Sequence, residues 1–327
     1  MNDFSELQQK NERKNSINLI SYLLIGQMVF SLFLGRFGDV FLYFFNDSVK
    51  GFFIVFLKNT MNLKYDEAYS AYYSFVSSGA FNEFCGMINY FLILFVPSYI
   101  FIKINKSKIS DYFSVQGSLN RNTGRYCALV VAISIVISNI TYVFYNFFGF
   151  DRELDTDISG YDIPALIIYF ISVAILPPII EEFVFRGVVL KTLLPCGKVF
   201  AIACSAVFFA TLHSYSSMAF AFCAGIILGY LSVLTGNLKT SIVIHAVNNA
   251  TSAIFSILSV KLSPENYIIF QCVLLIVIFG VALMSIPKIL KDFEACKINE
   301  DLNIKAILTP ASIIYFAIMF LINCRML

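Results

Sequence analysis

"YCALVVAISIVISNITYVFYNFFG", residues 126–149, runs for 24 residues without one charged side chain. About 20 such residues, rising 1.5 Å each, cross the ~30 Å hydrocarbon core of a bilayer as a helix. A helix satisfies its own backbone hydrogen bonds, which lipid cannot do. The stretch therefore reads as a transmembrane helix, and the rest of the chain has the same character. Hydrophobic residues make up 58% and charged residues 13%, with a mean hydropathy of +0.77, whereas a soluble domain carries roughly 25% charged residues. The expected fold is an all-α, polytopic transmembrane helix bundle, anchored in a plasma membrane. A net charge of +2 gives no reason to expect a nucleic-acid partner. The polar start, "MNDFSELQQKNERKN", and the lack of small residues behind the first apolar run argue against a removable signal peptide.

Apolar runs at 17–35, 84–104, 126–148, 163–193, 198–215, 217–235, 239–260, 266–287 and 306–324 give eight or nine spans. Between the first two, "FGDVFLYFFND" and "GFFIVFL" are too short to cross separately, and "KYDEAYSAYYSF" has the mixed pattern of an interfacial amphipathic helix. Residues 37–83 are therefore expected to lie outside as an interfacial segment. The chain divides into amino-terminal helices (1–160), a core (161–260) and carboxyl-terminal helices (261–327).

Charge orients these spans. Arg13 and Lys14 precede the first, and Lys103, Lys106, Lys108, Arg121 and Arg125 crowd the loop before the third. The next loop, "DRELDTDISGYD" (151–162), holds five acids and one arginine. Positive loops stay inside, so the amino terminus is expected in the cytoplasm and 150–162 outside. Lys191, Lys198, Lys239 and the cluster Lys288, Lys291, Lys297 and Lys305 then also fall inside. The eight cysteines show no C-x-x-C spacing and read as small buried hydrophobes.

Charge inside a span costs about 2.5–3.5 kcal/mol at the helix centre, so polar residues there are few and usually functional. Three clusters stand out: Glu181, Glu182 and Arg186 in "PPIIEEFVFRG" (177–187); His213 in "FFATLHSYS"; and His245 with Asn248 and Asn249 in "IVIHAVNNA". Both histidines of the chain lie in them. Glu182 and Arg186 are four apart and can pair on a helix, while Glu181 sits about 100° around the cylinder, free to take a proton. Pro177 and Pro178 should break the helix before them and leave carbonyls facing a central polar cavity. His245 and Asn249 share one face, as do Phe209 and His213.

Carboxylate plus imidazole is what activating a water requires, with further donors for the oxyanion. The same set could bind a metal: Glu181, His213 and His245 resemble the ligands of catalytic zinc, with Asn249 a weak fourth. The bland readings are an interhelical hydrogen bond for each histidine and a snorkelling anchor for the Glu–Arg pair. Depth is a complication, since His213 falls about 6 Å toward the outside and His245 about 6 Å toward the inside of their spans at 1.5 Å per residue.

"EEFVFR" (181–186), "FATLH" (209–213) and "HAVNN" (245–249) resemble the motifs EExxxR, FxxxH and HxxxN of the CPBP family of intramembrane proteases. That family includes the type II CAAX prenyl endopeptidase and bacterial bacteriocin-processing and immunity proteins. The glycine-containing stretch "AGIILGYLSVLTGNLKTSIVIHAVNN" (224–249) is similar to the family's segment ahead of the histidine. The resemblance covers about 163–255. It implies an endopeptidase acting on a leader peptide or small membrane protein, with Glu181 and His213 activating water and His245 and Asn249 stabilising the oxyanion. Glu182 and Arg186 would support the site. Either a divalent metal such as zinc or no cofactor is compatible with it. The alternative class is a non-enzymatic transporter or peptide-binding scaffold using Glu181 and Glu182. A transporter should show paired broken helices in inverted repeats, and only one proline break is present. HExxH, GxSG and GxGD motifs of other intramembrane proteases are absent.

Overall fold

The computed structural model describes residues 2–148, 157–295 and 307–323, and side chains for all of these except 2–10, 36–49, 293–295 and 323. Among them every regular element is helical. Residues 149–156 of the acidic loop, Lys297, Lys305, Cys296 and Cys324 lie outside the described residues.

Helix α1 (Asn2–Met61) is followed by α2 (Tyr65–Val76), α3 (Gly79–Ile104), the one-turn α4 (Ile109–Tyr112) and α5 (Thr123–Phe148). The core starts with α6 (Ile163–Ala174) and α7 (Leu176–Glu182), then a π-helical segment (Phe183–Leu190) that runs into the short α8 (Lys191–Leu193). It continues with α9 (Lys198–Thr211), α10 (Tyr215–Thr235) and α11 (Lys239–Lys261), and α12 (Pro264–Ala295) and α13 (Pro310–Asn323) complete the bundle.

Among the described residues all nine apolar runs lie in helices, and seven helical stretches are long and apolar enough to cross a membrane. The exceptions, α9 and α13, have 14 residues each, about 21 Å at 1.5 Å per residue against a core of ~30 Å. Pro195 and Gly197, the latter at φ +115, turn the chain immediately before α9. Helix α9 stops at Thr211, so His213 lies in the short link to α10.

The segment 37–83 also departs from expectation. Its first part does not form a separate interfacial element, because α1 continues without a break to Met61. Beyond the apolar stretch Asn11–Gly35 the helix runs for a further ~39 Å at 1.5 Å per residue. The amphipathic element is α2, which folds back on the end of α1 and buries Ala68 and Tyr72 against Ile54 and Leu57.

The loops read as cytoplasmic meet at one end of the bundle. Lys191 Nζ donates to the Asp111 and Tyr112 carbonyls at 3.1 and 3.2 Å, Arg13 Nε to the Cys196 carbonyl at 3.0 Å, and Leu238 N to the Ser114 carbonyl at 2.8 Å. The opposite end is tied by Tyr161, whose hydroxyl donates to Glu83 at 3.0 Å and whose carbonyl accepts from Lys261 at 3.1 Å. The cysteine expectation needs one correction: Cys196 and Cys204 are buried, but Cys272 is exposed on α12.

Candidate active site

The proline pair does break the core helix. Helix α6 ends at Ala174, Ile175 takes φ −115 and ψ −55, and α7 begins at Leu176. Pro177 has no N–H to give the Val173 carbonyl four residues earlier. Asn249 Nδ2 from α11 donates to that carbonyl instead, at 3.1 Å. One amide hydrogen of Asn249 is thus spent on the broken helix, which leaves the other for chemistry.

Past the glutamates the chain widens into the π-helical segment. Single π turns inside α-helices are rare and concentrate at functional sites. The Ser205 hydroxyl of α9 donates to the Phe185 carbonyl in this segment at 2.8 Å, so a backbone acceptor is satisfied from a neighbouring helix.

Glu182 and Arg186 are both fully buried, with Arg186 Nη1 3.0 Å from Glu182 Oε1. The contact is an ion pair rather than an aligned hydrogen bond, since Nη1 does not point along it. The guanidinium lies 4.3 Å over the Phe209 ring and reaches the Gly225 carbonyl at 3.5 Å. Gly225 is where α10 crosses α9 most closely: a Cβ there would sit 2.9 Å from Ala206 Cα.

His245 joins the two carboxylates. Its Nδ1 is 3.0 Å from Glu182 Oε1 and its Nε2 is 3.7 Å from Glu181 Oε2. The expectation of an unpartnered Glu181 is corrected here, because the Tyr90 hydroxyl of α3 donates to Glu181 Oε1. Its other oxygen, Oε2, is buried and accepts no hydrogen bond.

His213 follows α9, with Nδ1 2.9 Å from the Phe209 carbonyl, leaving Nε2 as its open nitrogen. Its charged surroundings are Glu181, His245 and Arg186. Phe209 is the common neighbour, its ring centroid 4.7 Å from that of His213, 5.7 Å from His245 and 5.3 Å from Phe185. The eight residues singled out in the sequence thus converge on one place, with Phe209 in contact with both histidines.

A cavity of about 570 Å³ opens beside them, with His213, His245, Asn248, Asn249 and Phe209 in its wall. The two glutamates stand behind His245 rather than on that wall. Asn248 Nδ2 donates to Asn249 Oδ1 at 3.3 Å and so fixes which edge of the Asn249 amide faces inward.

Residues 163–251 match the family model described as Type II CAAX prenyl endopeptidase Rce1-like. That segment, about a quarter of the chain, is similar to the CAAX prenyl endopeptidases. The Rce1-like segment takes in all three clusters and every helix from α6 to α10, with most of α11. No curated protein and no solved structure matches the chain. The likeness is to a hydrolase family, and the long apolar helices are those of a multi-pass membrane protein.

Among the described residues no group of three His, Cys, Asp or Glu side chains is placed to hold one metal ion. His245 turns Nδ1 to Glu182 and Nε2 toward Glu181. Two contributors had no signal in the sequence: Tyr90, an ordinary aromatic in an apolar run, and the Val173 carbonyl.

Proposed function

We propose that the protein is an intramembrane endopeptidase that hydrolyses a peptide bond with water activated by Glu181 and His213, without a metal. The observation that carries this reading is that His213, His245 and Asn249 line one cavity while Glu181, from a third helical segment, stands directly behind His245. Glu181 Oε2 and His245 Nε2 stand 3.7 Å apart, which sets a proton acceptor and an oxyanion donor side by side.

The water adds to the scissile carbonyl carbon as Glu181 takes its proton, steadied by Tyr90 on the other carboxylate oxygen. His213 Nε2 orients the water. His245, in its doubly protonated form, donates Nδ1–H to Glu182 and Nε2–H to the developing oxyanion, joined by the free Asn249 amide hydrogen. Collapse of the tetrahedral species breaks the C–N bond, and the proton held by Glu181 passes to the leaving amine.

One contact favours a second assignment of roles. Glu182 could orient His245 Nδ1–H so that Nε2 accepts the proton of water, as a carboxylate orients a histidine base in catalytic triads. His245→Gln separates the two, since the amide keeps a donor for the oxyanion but is no base.

The direct test is Glu181→Gln and His213→Ala in purified protein. Each should lower peptidase activity by about 10²–10⁴, the worth of a general base, with insertion and melting temperature unchanged. Activity within about tenfold of wild type would remove both residues from the reaction. The meeting of Arg13, Lys191 and the 103–125 loop at one end supports a cytoplasmic amino terminus.

A further inference from the structure

The cavity wall carries information about the substrate that the catalytic groups do not. It is built from α5, α10 and α11 together with Tyr169 and Val173 of α6. Helices α5 and α11 run in the same direction and α10 runs against them. Val130, Leu228 and His245 therefore mark one end of the cavity, and Thr141, Ser214 and Ser256 the other.

Hydroxyls line most of the length. Ser134, Ser138 and Thr141 repeat at helical spacing along α5, and Asn248, Ser252 and Ser256 do so along α11. Among the described residues the wall holds no Lys, Arg, Asp or Glu. Val130, Ala224 and Leu228 make the end beside His245 apolar, a surface that suits a hydrophobic side chain.

The hydrogen bonding of these hydroxyls differs from that of their neighbours. Several polar side chains elsewhere on the membrane helices bond back to their own carbonyl four residues earlier: Ser98 to Leu94 at 2.7 Å, Asn139 to Ile135 at 2.7 Å, Thr251 to Val247 at 2.8 Å and Ser285 to Val281 at 2.6 Å. Among the described residues, no such bond is made by Ser134, Ser138, Thr141 or Ser252, nor by Ser21, which is packed away inside the bundle on α1. The first four differ from Ser21 in lining the cavity, and Ser138 and Ser252 sit directly beside Asn139 and Thr251, which do bond back. These are donors and acceptors turned toward a guest.

An isoprenoid chain is a poor guest for such a wall. It offers no hydrogen bonds, and each hydroxyl it desolvates costs about 1–3 kcal/mol. Among the described residues the wall offers a free chain-terminal carboxylate no Lys or Arg. An extended backbone offers a donor and an acceptor at every residue. From Val130 to Thr141 the wall rises about 16 Å at 1.5 Å per residue, the length of about five residues of extended chain at ~3.3 Å each.

We propose that this cavity seats an unprenylated, uncharged stretch of about five residues in extended form, hydrogen-bonded to the serine and asparagine ladders, with an apolar side chain beside His245. The chemistry performed on it rests on the peptidase reading above; the choice of guest rests on the cavity alone.

The test gives purified protein two mixtures of random tetradecapeptides, one unmodified and one S-farnesylated at a central cysteine. Wild type should cleave the unmodified mixture, with uncharged residues flanking the cut. Ser138→Leu and Ser252→Leu should each lower kcat/KM at least about tenfold, chiefly through KM, because each removes hydrogen bonds to the guest and narrows the wall. Their melting temperatures should match wild type, and Ser138→Ala and Ser252→Ala should be milder. Preferred cleavage of the farnesylated mixture, or indifference to both leucine variants, overturns the proposal. Peptides retained by Glu181→Gln are identified in parallel. Unmodified peptides held by that variant yet left intact by wild type would uphold the cavity assignment and sink the peptidase reading. Retention of farnesylated peptides alone, or of none, would sink the cavity assignment.

Discussion

Asn249 gives the Val173 carbonyl, at 3.1 Å, the hydrogen bond that Pro177 cannot supply. A residue read as an oxyanion donor is therefore also the splice of a broken helix. Asn249→Ala should lose activity and about 1–3 kcal/mol of stability together, since it strands a buried acceptor. Adding Pro177→Ala restores an N–H at the position that bonds Val173. The double variant should regain melting temperature and stay inactive. Failure of the second substitution to restore stability would mean the splice is not what Asn249 contributes.

Tyr90 should matter to rate and not to binding. Its hydroxyl donates to Glu181 Oε1, and a hydrogen bond to a charged group contributes about 1.5–3 kcal/mol, roughly 10- to 100-fold. Tyr90→Phe should lower kcat by that order and leave KM alone. An unchanged kcat would show that Glu181 needs no positioning from α3.

Arg186 lies under Phe209 and against Glu182. Arg186→Ala leaves a buried carboxylate without its cation, a change that costs about 3–5 kcal/mol, and should reduce yield as well as activity. Arg186→Lys keeps the charge but loses the planar stacking on Phe209 and the reach to the Gly225 carbonyl, so its melting temperature should fall between the two. Glu182→Gln should be milder than Glu181→Gln in activity. The opposite order would exchange their roles.

Gly225→Ala places a methyl 2.9 Å from Ala206 Cα, a backbone atom that cannot swing aside. Overpacking of this kind costs about 1–3 kcal/mol. Because α9 must move to admit it, Phe209 and His213 move too, and turnover should fall more than stability. Wild-type activity in this variant would show that the α9–α10 crossing does not set the position of His213.

Chelation should leave turnover unchanged, and metal analysis of active protein should return well under one equivalent. Stoichiometric zinc that is lost together with activity in His245→Ala would reverse the assignment of His245 as a donor.

What the sequence disclosed and what it hid have a common physical cause. The spans were legible because a bilayer demands long apolar runs, and Glu182 with Arg186 was legible because helical neighbours four apart face each other. Tyr90 is 91 residues from Glu181, and no local pattern encodes a contact at that separation. The proline break could be read, yet not which side chain would mend it. His245 was placed with Asn249 on one face, which is correct for the helix, but its hold on Glu182 belongs to the packing of α11 on α7. The histidines were read at different depths from separate span midpoints, yet the Phe209 ring lies against both. The length of α1 was hidden for the opposite reason: a helix leaving the membrane loses its apolar signature while remaining a helix.

The Phe209 ring touches Arg186, His213, His245 and Phe185 at once. Changes at these positions will not combine independently, since each shifts the seat of the others. The cluster is an epistatic unit that can be inherited whole or lost whole, but hardly retuned piece by piece. Ser134, Ser138 and Ser252 make no bond to it. Divergence toward new substrates has its open route there, along a wall whose residues can drift one at a time while the chemistry behind them stays constant.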